Sequence, residues 1–264
     1  MIKVIKIGGN VVDKPAMLDS FCKDFARLEG PKVLVHGGGV LASSIQKALG
    51  HEAVKIEGRR VTDEETLKAV TMVYSGWCNK NITAKLQACG CNAIGLSGCD
   101  ASVIKAKRRA PKLLSDGVTL VDYGFVGDVK PESVNTAFLH SLLDLGLVPV
   151  LCAINHDGEG QLLNTNADTI ASSVAAALKA SLTYCFEKEG VLYDKDDKGS
   201  VIPVIDTKLY ERLKAEGRVA EGMIPKLDNS FQAMRQGVRE VIIKHASRLN
   251  ERSGSLLTLT DYEK

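Results

Sequence analysis

Two short apolar segments near the start of the chain each run directly into a cluster of glycines. Residues 2–7 precede Gly8-Gly9, and residues 32–36 precede the triplet Gly37-Gly38-Gly39. Their Val and Ile content predicts strands, and a helical pattern begins just after the triplet. Because glycine has no Cβ, its backbone N–H can approach an anion, and a helix N-terminus adds positive potential. The two turns together indicate a phosphate-binding site, although either one alone fits an ordinary tight turn.

The same alternation of strand and helix continues along the chain. It predicts an α/β fold, a three-layer αβα sandwich around a mainly parallel central sheet, with antiparallel hairpins inserted over 103–128. The predicted strands are 33–35, 93–96, 148–153, 181–186 and 240–244. The predicted helices are 15–28, 41–49, 63–89, 131–145, 167–180, 207–216 and 226–236. A change near 166–180 suggests two lobes that share the sheet, with a site at the carboxyl ends of its strands.

Composition excludes several classes of function. The 264 residues carry a net charge of only +2, so no overall field favours nucleic acid or an anionic membrane. The basic run 105–109 is read as a solvated hairpin. No apolar stretch is long enough to span a bilayer and no signal sequence is evident, so we expect a cytoplasmic protein. The seven cysteines lack a Cys-x-x-Cys spacing and are expected to be small buried residues, and no metal site is expected among them.

Three polar segments carry further candidate chemistry. Residues 164–168 (Asn-Thr-Asn-Ala-Asp) lead into a helix, residues 59–60 place two arginines in a turn, and residues 222–226 place Lys226 at a helix start. Arginine binds carboxylates through paired hydrogen bonds, and rigid lysines suit phosphate. Each segment also has an ordinary structural reading, as a helix cap, an exposed turn or a surface lysine.

Taken in order, these segments resemble the amino-acid kinase family, and within it the branch that phosphorylates N-acylglutamate. The motifs, which extend over nearly the whole chain, are Lys6–Gly9, His36–Gly39, Gly58–Thr62, Gly95–Asp100, Gly124–Gly127, Asn164–Asp168 and Gly222–Lys226. The resemblance implies ATP as co-substrate with Mg²⁺ held mainly by its phosphates, and transfer of phosphate to the γ-carboxylate in the second step of arginine biosynthesis. N-acetyl-L-glutamate is the expected acceptor, and N-succinyl-L-glutamate is the alternative.

The resemblance also assigns residues. Lys6 and Lys226 stabilise the transferred phosphoryl group, and Asp168 holds both lysines. The remaining expected contacts are Gly8 and Gly9 with phosphate, Gly38, Gly39, Arg60 and Asn164 with the acylglutamate, and Glu187, Gly190, Val191, Leu192, Arg218, Val219 and Ala220 with ATP. Residues 1–170 would form the acylglutamate-binding and dimerisation lobe, and 171–264 the ATP-binding lobe.

The expected chemistry agrees with the residue types present. A side-chain carboxylate is already ionised at neutral pH, so it needs no general base to act as nucleophile. Its repulsion from the γ-phosphate is what lysines, Mg²⁺ and directed amides would reduce. Accordingly only one of the five histidines, His36, lies in a motif, and we expect it to shape the turn.

The chain departs from the family pattern at several points. Glu187 stands where an aspartate is usual, which affects the expected adenosine contacts, and Cys99 stands where lysine is frequent. No helical extension precedes residue 1, and such an extension interlaces dimers into hexamers in arginine-inhibited relatives. We therefore expect a homodimer that arginine does not inhibit.

Two other readings remain open from the sequence. Residues 37–42 fit a relaxed dinucleotide-binding fingerprint with Glu57 at a suitable distance, as in an oxidoreductase. A catalytically silent module that senses ATP or an amino acid is the second. Aspartate, glutamate 5-, carbamate and uridylate kinases share the fold, and the motifs at 36–39 and 58–62 disfavour them.

Overall fold

The structure is a computed structural model that describes residues 1–114, 116–194, 196–197, 199–219 and 223–260. Its centre is an eight-stranded sheet. The strands are β1 (Lys3–Ile7), β2 (Lys32–His36), β3 (Ala93–Leu96), β4 (Val148–Leu151), β5 (Ser181–Phe186), β6 (Val204–Asp206), β7 (Val241–His245) and β8 (Ser255–Thr258). Their spatial order is β6-β8-β7-β5-β1-β2-β4-β3, and every neighbouring pair is parallel except β7 and β8. The predicted mainly parallel sheet is confirmed.

Nine α-helices lie among the described residues and pack around this sheet. They are α1 (Gly9–Val12), α2 (Pro15–Arg27), α3 (Gly39–Ala48), α4 (Glu64–Thr71), α5 (Asn79–Ala88), α6 (Thr136–Asp144), α7 (Ala167–Ala177), α8 (Thr207–Ala215) and α9 (Ile224–Arg235). All five residues of β2 are buried, so both faces of the sheet are covered at its centre. This is the layered α/β arrangement that the sequence predicts.

Two predicted helices differ in detail from those observed. The segment 63–89 is one continuous rod, but Met72–Cys78 within it is π-helical and separates α4 from α5. The predicted helix from residue 131 begins as the 3₁₀ turn Pro131–Ser133. The α-helix starts only at Thr136, because the Asn135 side chain accepts the Phe138 N–H and caps it there.

Short antiparallel pairs surround the sheet. They are Lys55–Ile56 with Arg59–Arg60, Lys107–Arg108 with Gly127–Asp128, Lys112–Leu113 with Leu120–Val121, and Ile154–His156 with Leu162–Asn164. The second and third pairs confirm the antiparallel hairpins expected over 103–128. The remaining 3₁₀ turns are Asp100–Ser102 and Ala246–Arg248.

Strand β1 occupies the point at which the strand order reverses. Strands β2, β3 and β4, which precede residue 152, lie on one side of it, and β5 to β8 lie on the other. In open α/β sheets the crevice at such a point, outside the carboxyl ends of the strands, is where ligands bind. The sheet order therefore directs attention to the residues that follow β1, β2 and β5.

The cysteines are all free thiols, and five of them are buried in or beside the core, as expected. Cys99 is exposed and Cys89 is partly buried, because Cys99 lies in the loop that follows β3 and Cys89 ends helix α5. Within the described residues, no helix is both long and apolar enough to cross a membrane.

Candidate active site

The two glycine turns lie side by side at the carboxyl ends of adjacent strands. Ile7 at the end of β1 is in register with His36 at the end of β2. A Cβ added to Gly9 would lie 3.6 Å from the backbone nitrogen of Gly39, and the Gly8 N–H donates to the Cys185 carbonyl at 3.0 Å. The turns are thus held together with the end of β5, as a single glycine-lined corner.

Gly38 has a clear steric requirement in this corner. A Cβ at this position would lie 2.9 Å from the Cys78 Sγ and 3.1 Å from the Tyr74 ring, both from the π-helical segment. Helix α3 begins at Gly39, and no side chain caps it. The N–H groups of its first turn have no intrahelical acceptor, so they can receive an anion.

Lys6, Asp168 and Lys226 meet beside this corner. The Lys6 Nζ lies 2.7 Å from Asp168 Oδ1, and the Lys226 Nζ lies 2.6 Å from Asp168 Oδ2. They come from β1, the first turn of α7 and the first turn of α9. The Asp168 and Lys6 side chains are only 14% and 11% exposed, so one carboxylate bridges two ammonium groups with little competition from water.

The protonation of this cluster follows from burial and charge. Burial by itself would raise the pKa of Asp168, but the two ammonium groups outweigh it and hold that pKa well below its usual range. Burial lowers the pKa of Lys6, the Asp168 carboxylate opposes that change, and the Lys226 charge adds to it. The carboxylate is therefore ionised, and it is the group that favours the charged form of Lys6.

The polar loop 164–168 separates into two kinds of residue. The Asn166 side chain accepts the backbone N–H groups of Asp168 and Thr169 and caps α7, and the residue also lines the cleft. Asn164 lines the cleft as well, and its amide donates to the Thr62 Oγ1 at 3.1 Å. The cap by Asn166 places Asp168 in the first helical turn, from which its carboxylate reaches both lysines.

Arg60 is buried and fixed against helix α3. Its guanidinium donates to the Gln46 Oε1 at 2.8 Å, the Ser43 Oγ at 2.8 Å and the Gly39 carbonyl at 2.9 Å. Gln46 is positioned in turn by donating to the Thr66 Oγ1 at 2.7 Å. An arginine held this firmly keeps a constant position relative to the glycine turn.

A cleft of about 230 Å³ opens above the glycine triplet. Its charged lining residues are all basic: Lys55, Arg59, Arg60 and Arg109. Arg109 is paired with Asp128, and its guanidinium lies over the Tyr123 ring. The positive charge of this lining suits an acidic small molecule.

His36 is structural. It is fully buried, and burial lowers its pKa to about 4. One ring nitrogen lies 2.7 Å from the Gly37 carbonyl and the other lies 3.0 Å from the Asn79 amide. A neutral ring that donates to Gly37 and accepts from Asn79 satisfies both contacts. The geometry accords with the expectation that His36 shapes the turn.

The residues assigned to ATP lie on the opposite side of β1, after β5 and near β8. Glu187 accepts from the Asn10 amide at 2.5 Å, beside Gly8 and Gly9.

The Val191 and Val219 side chains are buried in the core, so only their backbones can face a ligand. A Cβ on Gly190 would lie 2.8 Å from the Ser255 Oγ, and Arg218 lies over the exposed Tyr193 ring. Leu192 pairs with Val201 in an isolated bridge, and Ala220 lies outside the described residues.

Several cleft residues were not assigned from the sequence. Tyr74 and Arg109 line the cleft, and Gln46 and Asn79 hold Arg60 and His36 in place. Gln46 and Asn79 are polar residues at buried positions of helices, which is a signal visible only once the helix faces are known.

Comparison with known proteins identifies the family. The family model described as "Amino acid kinase family" matches residues 1–245. The chain belongs to the amino acid kinase family. It is 54% identical over 252 residues to an acetylglutamate kinase of Cytophaga hutchinsonii, covering 94% of this chain and 92% of the relative. An acetylglutamate kinase of Phocaeicola vulgatus is 50% identical over 260 residues, covering 97% and 98%, and one of Methanopyrus kandleri is 39% identical over 257 residues, covering 97% and 100%.

Solved structures agree on the amino acid kinase fold. N-acetylglutamate synthase of Neisseria gonorrhoeae, complexed with coenzyme A and N-acetyl-glutamate, matches with a TM-score of 0.80 at 22% identity. The match covers 97% of this chain and 59% of that larger chain. Carbamate kinase of Giardia matches with a TM-score of 0.64 at 15% identity, covering 98% of this chain and 99% of that one. At these identities the likeness shows the fold alone.

Proposed function

We propose that this protein is an acetylglutamate kinase, which uses ATP to phosphorylate the γ-carboxylate of N-acetyl-L-glutamate in arginine biosynthesis. The observation that carries this proposal is the Lys6–Asp168–Lys226 bridge beside the two glycine turns. The relatives that are 39% to 54% identical over nearly the whole chain are acetylglutamate kinases. Those names favour the acetyl substrate over the N-succinyl alternative.

The geometry supports a mechanism in which no protein group removes a proton. The γ-carboxylate is ionised at neutral pH, and one of its oxygens attacks the γ-phosphorus of ATP directly. The bond from that phosphorus to the β–γ bridging oxygen breaks, its electron pair stays on ADP, and ADP leaves. Lys6 and Lys226 stabilise the charge that spreads over the transferred phosphoryl group, and the backbone N–H groups at Gly9, Gly38 and Gly39 contact the reacting oxygens. The Gly8 N–H is engaged by the Cys185 carbonyl, so Gly8 contributes a close approach of the backbone to the phosphate. Asp168 holds the two ammonium groups at one place, because each of its oxygens contacts one of them.

Arg60 and Asn164 hold the rest of the acylglutamate. Both line the cleft above the glycine triplet, and both are fixed by other protein groups before a ligand binds. A substrate positioned by rigid donors loses little additional freedom on the way to the transition state. The basic lining of the cleft supplies attraction for a molecule with two carboxylates.

ATP occupies the side of β1 on which the described residues after 170 lie, against Glu187, Gly190 to Leu192, Arg218 and Val219. Ala220, also expected to contact ATP, lies outside the described residues. Mg²⁺ would be held mainly by the phosphates of ATP, where it would neutralise part of their negative charge. The donor set fits this arrangement, because the Asp168 carboxylate is already engaged by two lysines. The residues that precede 171 form the acylglutamate-binding and dimerisation lobe, with β1 between the two sites.

The other readings from the sequence are less well supported. Membership of the amino acid kinase family contradicts the dinucleotide-dependent oxidoreductase. A silent sensor would need only affinity for its ligands. A carboxylate that bridges two lysines beside a phosphate-binding corner is suited instead to stabilising the negative charge that develops on a phosphoryl group during its transfer.

The decisive experiment is a kinase assay with purified protein and MgATP. N-Acetyl-L-glutamate should support ADP release and hydroxylamine-trappable acyl phosphate, whereas N-succinyl-L-glutamate, glutamate and aspartate should be poor acceptors. Absence of acyl phosphate with every acceptor would contradict the proposal.

We also propose that the protein is a cytoplasmic homodimer that arginine does not inhibit. Exposed apolar side chains along the helical rod, such as Met72 and Trp77, provide surface that a second copy could cover. Light scattering should give the mass of a dimer. A hexamer, or inhibition by millimolar arginine, would contradict this proposal.

A further inference from the structure

Tyr74 lines the cleft above the glycine triplet. It lies in none of the sequence motifs, and its position inside a long helix does not suggest contact with a ligand. Only 6% of the residue is exposed, and it lines the same cleft as Gly39 and Arg60. Its ring lies 3.1 Å from where a Cβ on Gly38 would be, and its hydroxyl lies 3.7 Å from the corresponding position on Gly39. The phenol thus extends beneath the glycine turn toward the substrate side.

The π-helical segment explains why Tyr74 reaches this place. Tyr74 and Cys78 belong to Met72–Cys78, and both contact the space beside Gly38. A π-helical turn inserts one extra residue relative to an α-helix and turns the following side chains, and such turns are common at functional sites. Cys78 fills space against Gly38, whereas Tyr74 adds a hydrogen-bonding group at the cleft.

The Tyr74 hydroxyl is placed to donate a hydrogen bond to a ligand in the cleft. Burial raises the pKa of Tyr74, so the phenol is neutral, and the charge of the neighbouring Arg60 guanidinium opposes that shift. A neutral phenol has one O–H to donate, and Tyr74 lines the cleft together with Arg60 and Gly39. An acidic ligand in the cleft can accept that O–H.

Arg60 cannot satisfy a carboxylate by itself in this structure. Three of its hydrogen bonds go to Gln46, Ser43 and Gly39. A guanidinium has five N–H donors, so at most two remain for a ligand, whereas an ionised carboxylate has about four acceptor sites. A second donor beside Arg60 is therefore needed to compensate the carboxylate for its lost hydration.

We propose that the Tyr74 hydroxyl donates a hydrogen bond to the same substrate carboxylate that Arg60 binds, the α-carboxylate, and that this pair selects acylglutamates in which that group is free. This inference rests on the proposed function and adds a specificity residue to it. Tyr74 acts on binding of the acceptor and makes no contact with the transferred phosphoryl group.

The test is Tyr74→Phe, which removes only the hydroxyl. We expect the KM for N-acetyl-L-glutamate to rise about 10-fold or more, because a hydrogen bond to a charged group is lost, while kcat and the KM for MgATP stay within about twofold. Tyr123→Phe is the matched control. That tyrosine is equally buried, but its hydroxyl lies 3.5 Å from the Ile56 carbonyl and does not line the cleft, so its KM should equal that of the wild type.

A second substrate separates binding of the α-carboxylate from general effects on packing. N-Acetyl-L-isoglutamine carries an amide in place of that carboxylate, so Tyr74→Phe should change its kcat/KM by no more than about twofold. An unchanged KM for N-acetyl-L-glutamate, an equal loss with both substrates, or a loss in kcat alone would overturn the inference.

Failure of the inference can be distinguished from failure of the proposed function. If the wild type forms acyl phosphate but Tyr74→Phe binds N-acetyl-L-glutamate equally well, only the inference is wrong. If the wild type forms no acyl phosphate, the proposed function fails, and calorimetric titration with N-acetyl-L-glutamate still tests Tyr74. Thermal unfolding of the variant confirms that it is folded.

Discussion

The Lys6 ammonium nitrogen lies 2.7 Å from a carboxylate oxygen of Asp168, although Lys6 is on the first strand and Asp168 opens a helix far along the chain. The other oxygen of that carboxylate contacts Lys226, which lies over the Phe186 ring. The cluster therefore joins both sides of the sheet across β1. Its net charge is one positive unit, beside the two glycine turns.

Substitution of either lysine should abolish most of the activity. Lys6→Ala and Lys226→Ala each remove one preorganised charge, and we expect kcat to fall about 10²-fold or more with a small effect on folding. Steady-state kinetics measures this, with thermal unfolding in parallel. Lys68→Ala is the matched control, because Lys68 is an exposed lysine whose ammonium group pairs with Glu64 and Glu65 on the surface of its own helix. Near-normal turnover in both site variants would reject the assignment.

Asp168→Asn should change the pH dependence of turnover as well as its size. Burial lowers the pKa of Lys6, and the Asp168 charge is what opposes that change. Without the carboxylate the pKa of Lys6 falls further, so the ammonium form is lost at lower pH. The alkaline decline of kcat should therefore begin at lower pH in the variant than in the wild type. Coincident declines would show that the Lys6 charge is not required.

His36 should make the fold less stable in mild acid. Its folded pKa is about 4, below the ordinary value of 6.5, so the unfolded chain binds a proton first as pH falls. Stability is lost between about pH 6.5 and 4, by about 3 kcal/mol at most from this residue.

Urea unfolding of the wild type and of His36→Gln at pH 7 and pH 4 measures that effect. The gap in unfolding free energy between the two proteins should narrow at the lower pH, because the variant lacks the titrating ring. The exposed His140 provides the control, and His140→Gln measured in the same way shows what loss of a surface histidine does to the unfolding free energy. A constant gap for His36→Gln would contradict a buried neutral ring.

The strands and the glycine corner could be predicted from the sequence because the information is local. Buried parallel strands such as β2 are continuous apolar runs, and glycine clusters directly follow β1 and β2. Strands β6 and β8 were not predicted. Each is only three or four residues long, and β8 reads Ser-Leu-Leu-Thr, which has no distinctive pattern by itself.

The site residues also fall into those that a local sequence pattern reveals and those that it does not. Lys6, Asp168 and Lys226 stand in motifs, whereas Tyr74 is one apolar-looking position in a long helix. A π-helical turn has nearly the same hydrophobic periodicity as an α-helix, so the sequence does not reveal that Tyr74 faces the cleft. Arg109 reaches the cleft only because the pairing of Lys107–Arg108 with Gly127–Asp128 folds the basic run back over it. Such long-range pairing is not encoded in local pattern.

A pair of glycine substitutions tests whether the contact between Asn79 and His36 stabilises the glycine corner. A Cβ on Gly95 would lie 2.2 Å from the Asn79 Oδ1, and the Asn79 amide contacts His36 and donates to the Val150 carbonyl at 2.9 Å. Gly95→Ala should therefore displace Asn79, leave the His36 Nε2 without its partner and destabilise the fold by about 1–3 kcal/mol. Gly76→Ala is the matched control, because nothing lies within 4 Å of its Cβ position and its backbone is helical. It should leave stability unchanged or raise it by up to about 1 kcal/mol. Equal unfolding midpoints for the two variants would show that the Asn79 contacts do not support the turn.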